Sequence, residues 1–369
     1  MEIQLTQEAE SRTNDHMQSP SPQTHLSVRF WGTRGSCAAP FPDRMIYGGN
    51  TSCVSVHWKE GTAIFDAGTG ILALGEWMKR KKEAKKPIHL FIGHLHLDHI
   101  AALPLFPLLF EKEARFHLYG PGEKEKTFKK RLLLPLSPPY WPISLEQVPA
   151  SITWHEAESN QTWKLPGNIK VSAMRSNHPD QCLIYRLESQ GQSVVYGLDC
   201  EFFEPSSQSL SKPPEPKSLW TAYQTFAWEC SLLIFDAPYT QKEYPSYCGF
   251  GHSYWEKGIE MAKACRASRL YICHHNWDRS DKALAQIEKD LHLQARKTGL
   301  QAEIAREGQC IHLPPPAPEN PKKKKRNAKE EKNHKKEKKH KEEKKHKEEK
   351  KHKEEKKHKE EKKYKEEKP

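Results

Sequence analysis

The 369-residue chain has no run of 18 apolar residues, so the ordinary signature of a membrane-spanning helix is missing. Its N-terminus, Met1 to Gln23, carries Glu2, Glu8 and Glu10 and no apolar stretch, and does not read as a secretory signal. Cys-x-x-Cys is absent, and the cysteines number nine. An odd count with several members in apolar runs, as in Cys182-Leu-Ile-Tyr, argues against a disulfide framework and for reduced thiols in a cytoplasmic protein. Net charge is also missing from most of the chain. Between Pro321 and Pro369 stand 25 Lys/Arg and 13 Asp/Glu, which account for the whole +12 and leave 35 of each sign before Pro321. The basic balance therefore implies no nucleic-acid groove in the body.

Three zones follow from composition. Residues 1–26 are polar, with Ser-Pro-Ser-Pro at 19–22, and are expected to be disordered. Residues 27–313 carry the apolar patterning of a folded domain. Residues 314–369 begin in a proline-rich break and continue as Lys-Lys-His-Lys-Glu-Glu units that place His340, His346, His352 and His358 six apart. Having almost no apolar side chain, this tail cannot offset the entropy of folding and is expected to be disordered. Its readings are electrostatic: a solubilising segment, weak metal capture, or a tether to nucleic acid or an anionic surface through 321–369.

Within the middle zone, strand patterns fall at Val28–Trp31, Cys53–Trp58, Ala63–Asp66, Ile88–Ile92, Phe116–Tyr119, Ile169–Met174, Cys182–Leu187, Ser193–Leu198, Leu232–Asp236 and Leu270–Cys273. Ser253-x-x-Glu256 predicts a capped helix over Tyr254–Cys265, and Ser280 a cap for a helix reaching Lys297, with Gly299 just beyond. The order of elements predicts an α+β layered domain.

The chemistry concentrates after the buried strand Ile88–Ile92, in His94-Leu-His96-Leu-Asp98-His99. Residues two apart in extended chain point the same way, so His94 and His96 reach one point, while Asp98 and His99 reach another where the chain turns into a helix. Three imidazoles and a carboxylate so close are costly to bury without a ligand. This donor set suits two divalent ions, zinc first and then manganese or iron.

The run resembles the motif of the metallo-β-lactamase superfamily, and the resemblance continues in order over about residues 28–280. It implies an αββα four-layer sandwich, a hydrolytic two-metal centre and a bridging hydroxide as nucleophile. It also implies that His178 completes the first metal site, Asp199 bridges both, and His274 completes the second, with His275 a rival for that place. Asp66, in Asp-Ala-Gly-Thr-Gly, is implied to support a ligand histidine. Histidine rather than glutamate at position 96 disfavours the redox members of the family.

Phe235-Asp236-Ala-Pro-Tyr followed by Gly251-His252-Ser253 resembles the phosphodiesterase branch, which includes ribonuclease Z and bacterial cyclic-phosphate enzymes. With Ser253 as cap, His252 would stand beside a helix N-terminus that favours phosphate, and Asp236 would favour its imidazolium as proton donor to a leaving oxygen. Asp98 is a candidate proton acceptor. The Gly32–Ser36 and Tyr47–Ser52 turns also resemble that branch, offering Asn50 beside the substrate and Arg34 either as a phosphate ligand or as a core ion pair. Only 20 residues separate His178 from Asp199, too few for the tRNA-gripping arm that ribonuclease Z carries there. Extra length lies at 120–165 and 201–228, where it is expected to shape the pocket mouth. The expectation is a phosphodiesterase for a cyclic nucleotide or other small phosphodiester. The alternatives are a thioesterase or lactonase, and a nuclease that uses the tail.

Overall fold

In a computed structural model of the chain, residues 26–122, 127–202 and 216–313 are described. The expected tails, 1–26 and 314–369, lie almost wholly outside them. The chain divides into two units, Met1–Pro315 and Pro316–Pro369, and all the described elements belong to the first.

Two seven-stranded sheets form the centre. The first contains β1 (Ser27–Gly32), β2 (Cys53–Trp58), β3 (Gly61–Phe65), β4 (Ile88–Phe91), β5 (Arg115–Pro121), β6 (Ser151–Ala157) and β14 (Cys310–His312), ordered β14-β1-β2-β3-β4-β5-β6. The second contains β7 (Thr162–Leu165), β8 (Ile169–Arg175), β9 (Leu183–Ser189), β10 (Gln192–Gly197), β11 (Leu232–Asp236), β12 (Arg269–Cys273) and β13 (Gln301–Ile304), ordered β13-β12-β11-β10-β9-β8-β7. β3 to β6 run parallel, as do β10 to β13, and the other pairings are antiparallel.

Alternating apolar side chains from both sheets, among them Phe30, Phe65, Phe91, Tyr185 and Ile234, make the core between them. A second core lies under α1 (Ile71–Arg80), where Ile71, Leu74 and Met78 share one face at helical spacing. A third is covered by α4 (Pro216–Phe226), α5 (Trp255–Ala264) and α6 (Asp281–Arg296). The result is the expected αββα sandwich. No helix among the described residues is long and apolar enough to cross a membrane, and all nine cysteines carry free thiols.

The 120–165 region supplies α3 (Phe128–Leu133) and the partners β6 and β7, one for an end of each sheet. Of 201–228, residues 203–215 lie outside the described set, and the remainder is chiefly α4, packed on the third core. One expectation needs correction. Ser253 is not a helix cap. Tyr254 holds the cap position, while Ser253 Oγ donates to the Cys200 carbonyl (2.8 Å) and accepts from Phe202 N–H. Ser280 does cap α6, accepting from Ala283 N–H.

Candidate metal centre

The site lies at the carboxyl ends of parallel strands, where neighbouring chains diverge and leave a crevice. Asp66 follows β3, His94 follows β4, Asp199 follows β10, Asp236 ends β11 and His274 follows β12. Three of these residues leave their strands in the left-handed region, Asp66 at φ 61°, Asp199 at 56° and His274 at 62°. Such backbone costs about 1–3 kcal/mol per residue and persists where the surroundings enforce it, commonly at functional sites. Here it turns each side chain off its strand end into one shared space. His96 caps the single helical turn α2 (Leu97–Ile100), which carries Asp98 and His99.

Asp199 is the hub. Its Oδ2 lies 3.5 Å from His94 Nε2 and 3.6 Å from His178 Nε2, and His178 Nε2 is 3.2 Å from His96 Nδ1. Its Oδ1 lies 3.4 Å from both His99 Nε2 and His274 Nε2, each of which is 3.2 Å from Asp98 Oδ2. Two donor groups result, His94/His96/His178/Asp199 and Asp98/His99/His274, with Asp199 facing both, and a third set, Asp199/Asp236/His252/His274, overlaps them through Asp199 and His274. His275 is not a ligand candidate, because its Nε2 donates to the Ala305 carbonyl at 2.8 Å.

The residues fit divalent ions. Donors about 2.0–2.1 Å from a tetrahedral zinc lie roughly 3.3–3.4 Å from one another, which matches the spacings around Asp199. His94 Nε2, His99 Nε2 and Asp199 Oδ1 are buried without a hydrogen-bond partner, an arrangement that native interiors avoid unless a ligand satisfies it. The electrostatics agree. Burial pulls the His94, His96 and His178 pKa values down, favouring neutral rings with a free lone pair. At His99 and His274 burial acts the same way, but the surrounding aspartates prevail, pushing His99 up and His274 to about 10. That is a field that favours a cation. Burial alone would raise Asp98, yet His99 and His274 hold it well below the usual carboxylate range.

A supporting layer fixes the rings. Asp66 accepts from His99 Nδ1 (2.6 Å), from the Tyr196 hydroxyl (2.7 Å) and from Gly93 N–H (2.7 Å). His178 Nδ1 donates to the Gly251 carbonyl at 2.9 Å, leaving Nε2 for the cluster. Asp236, fully buried, lies 3.2 Å from His274 Nδ1 and accepts from His252 Nδ1 at 3.1 Å and from Cys200 N–H at 3.2 Å. It thus joins a ligand candidate to the proton-donor candidate, a double role that sequence reading missed. Ser36 N–H donates to Asp98 Oδ2 at 2.8 Å. Gly35 permits this close approach, since a Cβ there would sit 2.4 Å from the His274 ring.

Arg34 does not face the site. Fully buried, it donates to the carbonyls of Gly48 (2.7 Å), Asn276 (3.1 Å), Arg279 (2.7 Å) and Arg44 (3.1 Å), with Asp281 at 3.9 Å. The phosphate-ligand alternative is therefore corrected to a structural brace whose donors are already taken. Asn50 likewise turns away from the site, its Nδ2 donating to Glu307 at 2.9 Å.

The fold and this centre define a metal-dependent hydrolase. A family model described as "Beta-lactamase superfamily domain" matches residues 62–275, and the chain belongs to that family. Ribonuclease Z of Bacillus subtilis (strain 168) is 20% identical over 229 residues, covering 54% of this chain and 74% of that protein. Ribonuclease Z of Streptococcus sanguinis (strain SK36) is 24% identical over 269 residues, covering 62% and 83%. Among solved structures, unliganded yeast PDE1 superposes with a TM-score of 0.55 at 14% identity, covering 79% of this chain and 100% of that one.

Proposed function

We propose that the protein is a two-metal phosphodiesterase whose substrate is a cyclic nucleotide or another small phosphodiester. The observation that carries this reading is the Asp236–His252 pair standing over the metal centre, with His252 Nδ1 4.0 Å from Asp199 Oδ2. His94, His96, His178 and Asp199 would hold one ion, and Asp98, His99, His274 and Asp199 the other, zinc being the first choice for these donors. When bound, the pair supplies Lewis acidity toward a phosphoryl oxygen and acidifies water into a nucleophile.

The rest is the work of side chains. Asp236 accepts a hydrogen bond from His252 Nδ1, which leaves Nε2 as the ring nitrogen offered to the substrate. Burial disfavours the His252 imidazolium, but Asp236 outweighs it and raises the pKa. Protonated at Nε2, His252 can hand that proton to the departing oxygen. Asp98, held anionic, is assigned to ligation rather than to accepting a proton.

The rim supports a small substrate. Leu97 and Phe250, each 61% exposed, and Trp277, 44% exposed, lie in three of the segments that carry the site histidines. They offer apolar surface to a base or organic ester group, and a formally neutral body supplies no broad positive field for a polyanion. The ribonuclease Z relatives favour a second reading, RNA cleavage with residues 321–369 as tether in a cytoplasmic setting.

The test is a substrate panel with metal-loaded full-length protein: bis(p-nitrophenyl) phosphate, cyclic nucleotides, a thioester, a lactone and structured RNA. Turnover of the first two that His96→Ala abolishes supports the proposal. Cleavage confined to the thioester or lactone sinks it. RNA cleavage that falls steeply with salt and is lost from a chain ending at Leu313 establishes the nuclease instead.

A further inference from the structure

Glu201 is a buried carboxylate, 1% exposed, two residues beyond Asp199. No Lys or Arg pairs with it among the described residues. Its oxygens are met by three donors from one loop: the Tyr244 hydroxyl at 2.7 Å and Gly249 N–H at 2.7 Å on Oε1, and Gly251 N–H at 2.8 Å on Oε2. Such a set satisfies both oxygens of a buried carboxyl group. Its backbone is tied to the other side of the site as well. Glu201 N–H donates to the Asn177 carbonyl (2.9 Å), and Asn177 Nδ2 donates back to the Glu201 carbonyl (3.0 Å).

Asn177 precedes His178, and the Gly251 carbonyl is what His178 Nδ1 donates to at 2.9 Å. Glu201 therefore grips both the chain that carries His178 and the carbonyl that orients its ring. Gly251 lies at φ +89°, and a Cβ there would sit 2.2 Å from His178 Nδ1, so the loop is pressed against the imidazole. His252 follows directly.

From this geometry we infer that Glu201 is a positioning residue for the metal centre. It clamps the Tyr244–Gly251 loop so that the Gly251 carbonyl holds His178 Nδ1–H and leaves Nε2 aimed at the first metal site. All three partners on the carboxylate are donors. An amide in its place must turn its NH₂ toward at least one of them, so even the isosteric change breaks the clamp. The inference rests on the two-metal reading but not on the identity of the substrate.

The test is zinc binding by the full-length chain, read by elemental analysis and by competition with a chromogenic chelator. Glu201→Gln should weaken one of two zinc equivalents about 10–100-fold, the usual effect of removing a partner that orients a ligand, and leave the other near wild type. In a His178→Ala background the same change should add nothing, because its effect passes through His178. Unchanged affinity for both ions in a folded Glu201→Gln protein overturns the inference. So does an equal loss with and without His178, which would mark a general structural role. If Glu201→Gln does not fold by circular dichroism, Tyr244→Phe removes one donor and keeps two. It should weaken the same equivalent a few-fold, and no change at that equivalent also overturns the inference. A wild-type chain that takes up no zinc would sink the two-metal reading itself, a different failure.

Discussion

Asp66→Asn isolates the layer behind the metal ligands. Asp66 sits at φ 61°, a conformation that asparagine tolerates nearly as well as aspartate, so the backbone need not move. What changes is the set of acceptors. Both oxygens are used, Oδ1 by Gly93 N–H and Oδ2 by His99 Nδ1 and the Tyr196 hydroxyl. An amide retains one acceptor and must point its NH₂ at donors. Either the Gly93 contact or the His99 and Tyr196 contacts are lost, and in both orientations His99 Nδ1 exchanges a carboxylate for at best an amide oxygen, a weaker acceptor that holds Nε2 on the cluster less firmly. Loss of such a partner weakens metal binding about 10–100-fold, equivalent to about 1.4–2.7 kcal/mol. Stabilisation by a ligand falls by the same amount at fixed excess metal, which for a domain of this size is roughly 2–5 °C in Tm. The assay is thermal unfolding of wild type and variant, each stripped with chelator and each reloaded. Comparing the metal-induced shift within each protein removes any cost already present in the stripped state. Equal shifts in the two proteins would refute the argument that Asp66 acts through His99.

His252→Ala should leave two metal equivalents in place and lower kcat on a small phosphodiester by about 10²–10⁴, the usual worth of a general acid; metal loss in step with activity would contradict this assignment. Arg34→Met should destabilise the fold by about 3–5 kcal/mol, because it removes the side-chain donor from the Gly48, Arg279 and Arg44 carbonyls and the neighbouring guanidinium from Asp281, and should leave KM unchanged. A phosphate-binding role would show the reverse in denaturant titrations and kinetics. Acid sensitivity should come partly from His89, which burial first, and then His117 and His155, bring down to about 3 in the folded protein. The unfolded chain gains that proton below about pH 6.5, so stability is intact above this value and falls toward pH 3 by about 1.4 kcal/mol per pH unit. Between pH 6.5 and 4.5, His89→Asn should therefore lose about 2–3 kcal/mol less than wild type in urea unfolding; parallel curves would exclude His89.

Much of the centre was legible because its residues announce themselves chemically. His94, His96, Asp98 and His99 follow an apolar run too short for anything but a buried strand, and His178, Asp199 and His274 each follow another. The Cys53–Trp58 and Leu232–Asp236 boundaries match the structure in full. The strands that escaped notice have weak patterns. β6 mixes exposed and half-buried positions at the end of its sheet, β7 and β13 are only four residues long, and β14 is three. Single-residue roles that depend on tertiary partners were not legible. Arg34 beside glycine-rich turns reads equally well as a phosphate ligand or a brace, and only the four carbonyls around it decide. Glu201 follows Asp199-Cys200 with no local signal, since its partners lie more than 40 residues away. Ser253 had the spacing of a cap, but the Cys200 carbonyl captures its hydroxyl.

Metal content measured alongside phosphodiesterase activity bears most directly on the central claim. Full-length protein loaded with zinc or manganese and freed of excess should carry two ions per chain. It should hydrolyse bis(p-nitrophenyl) phosphate, and stripping the metal should abolish that activity until ions are restored. An active protein indifferent to chelation, or a chain that binds no metal while His94, His96, His178, Asp199, Asp98, His99 and His274 remain intact, would contradict the account.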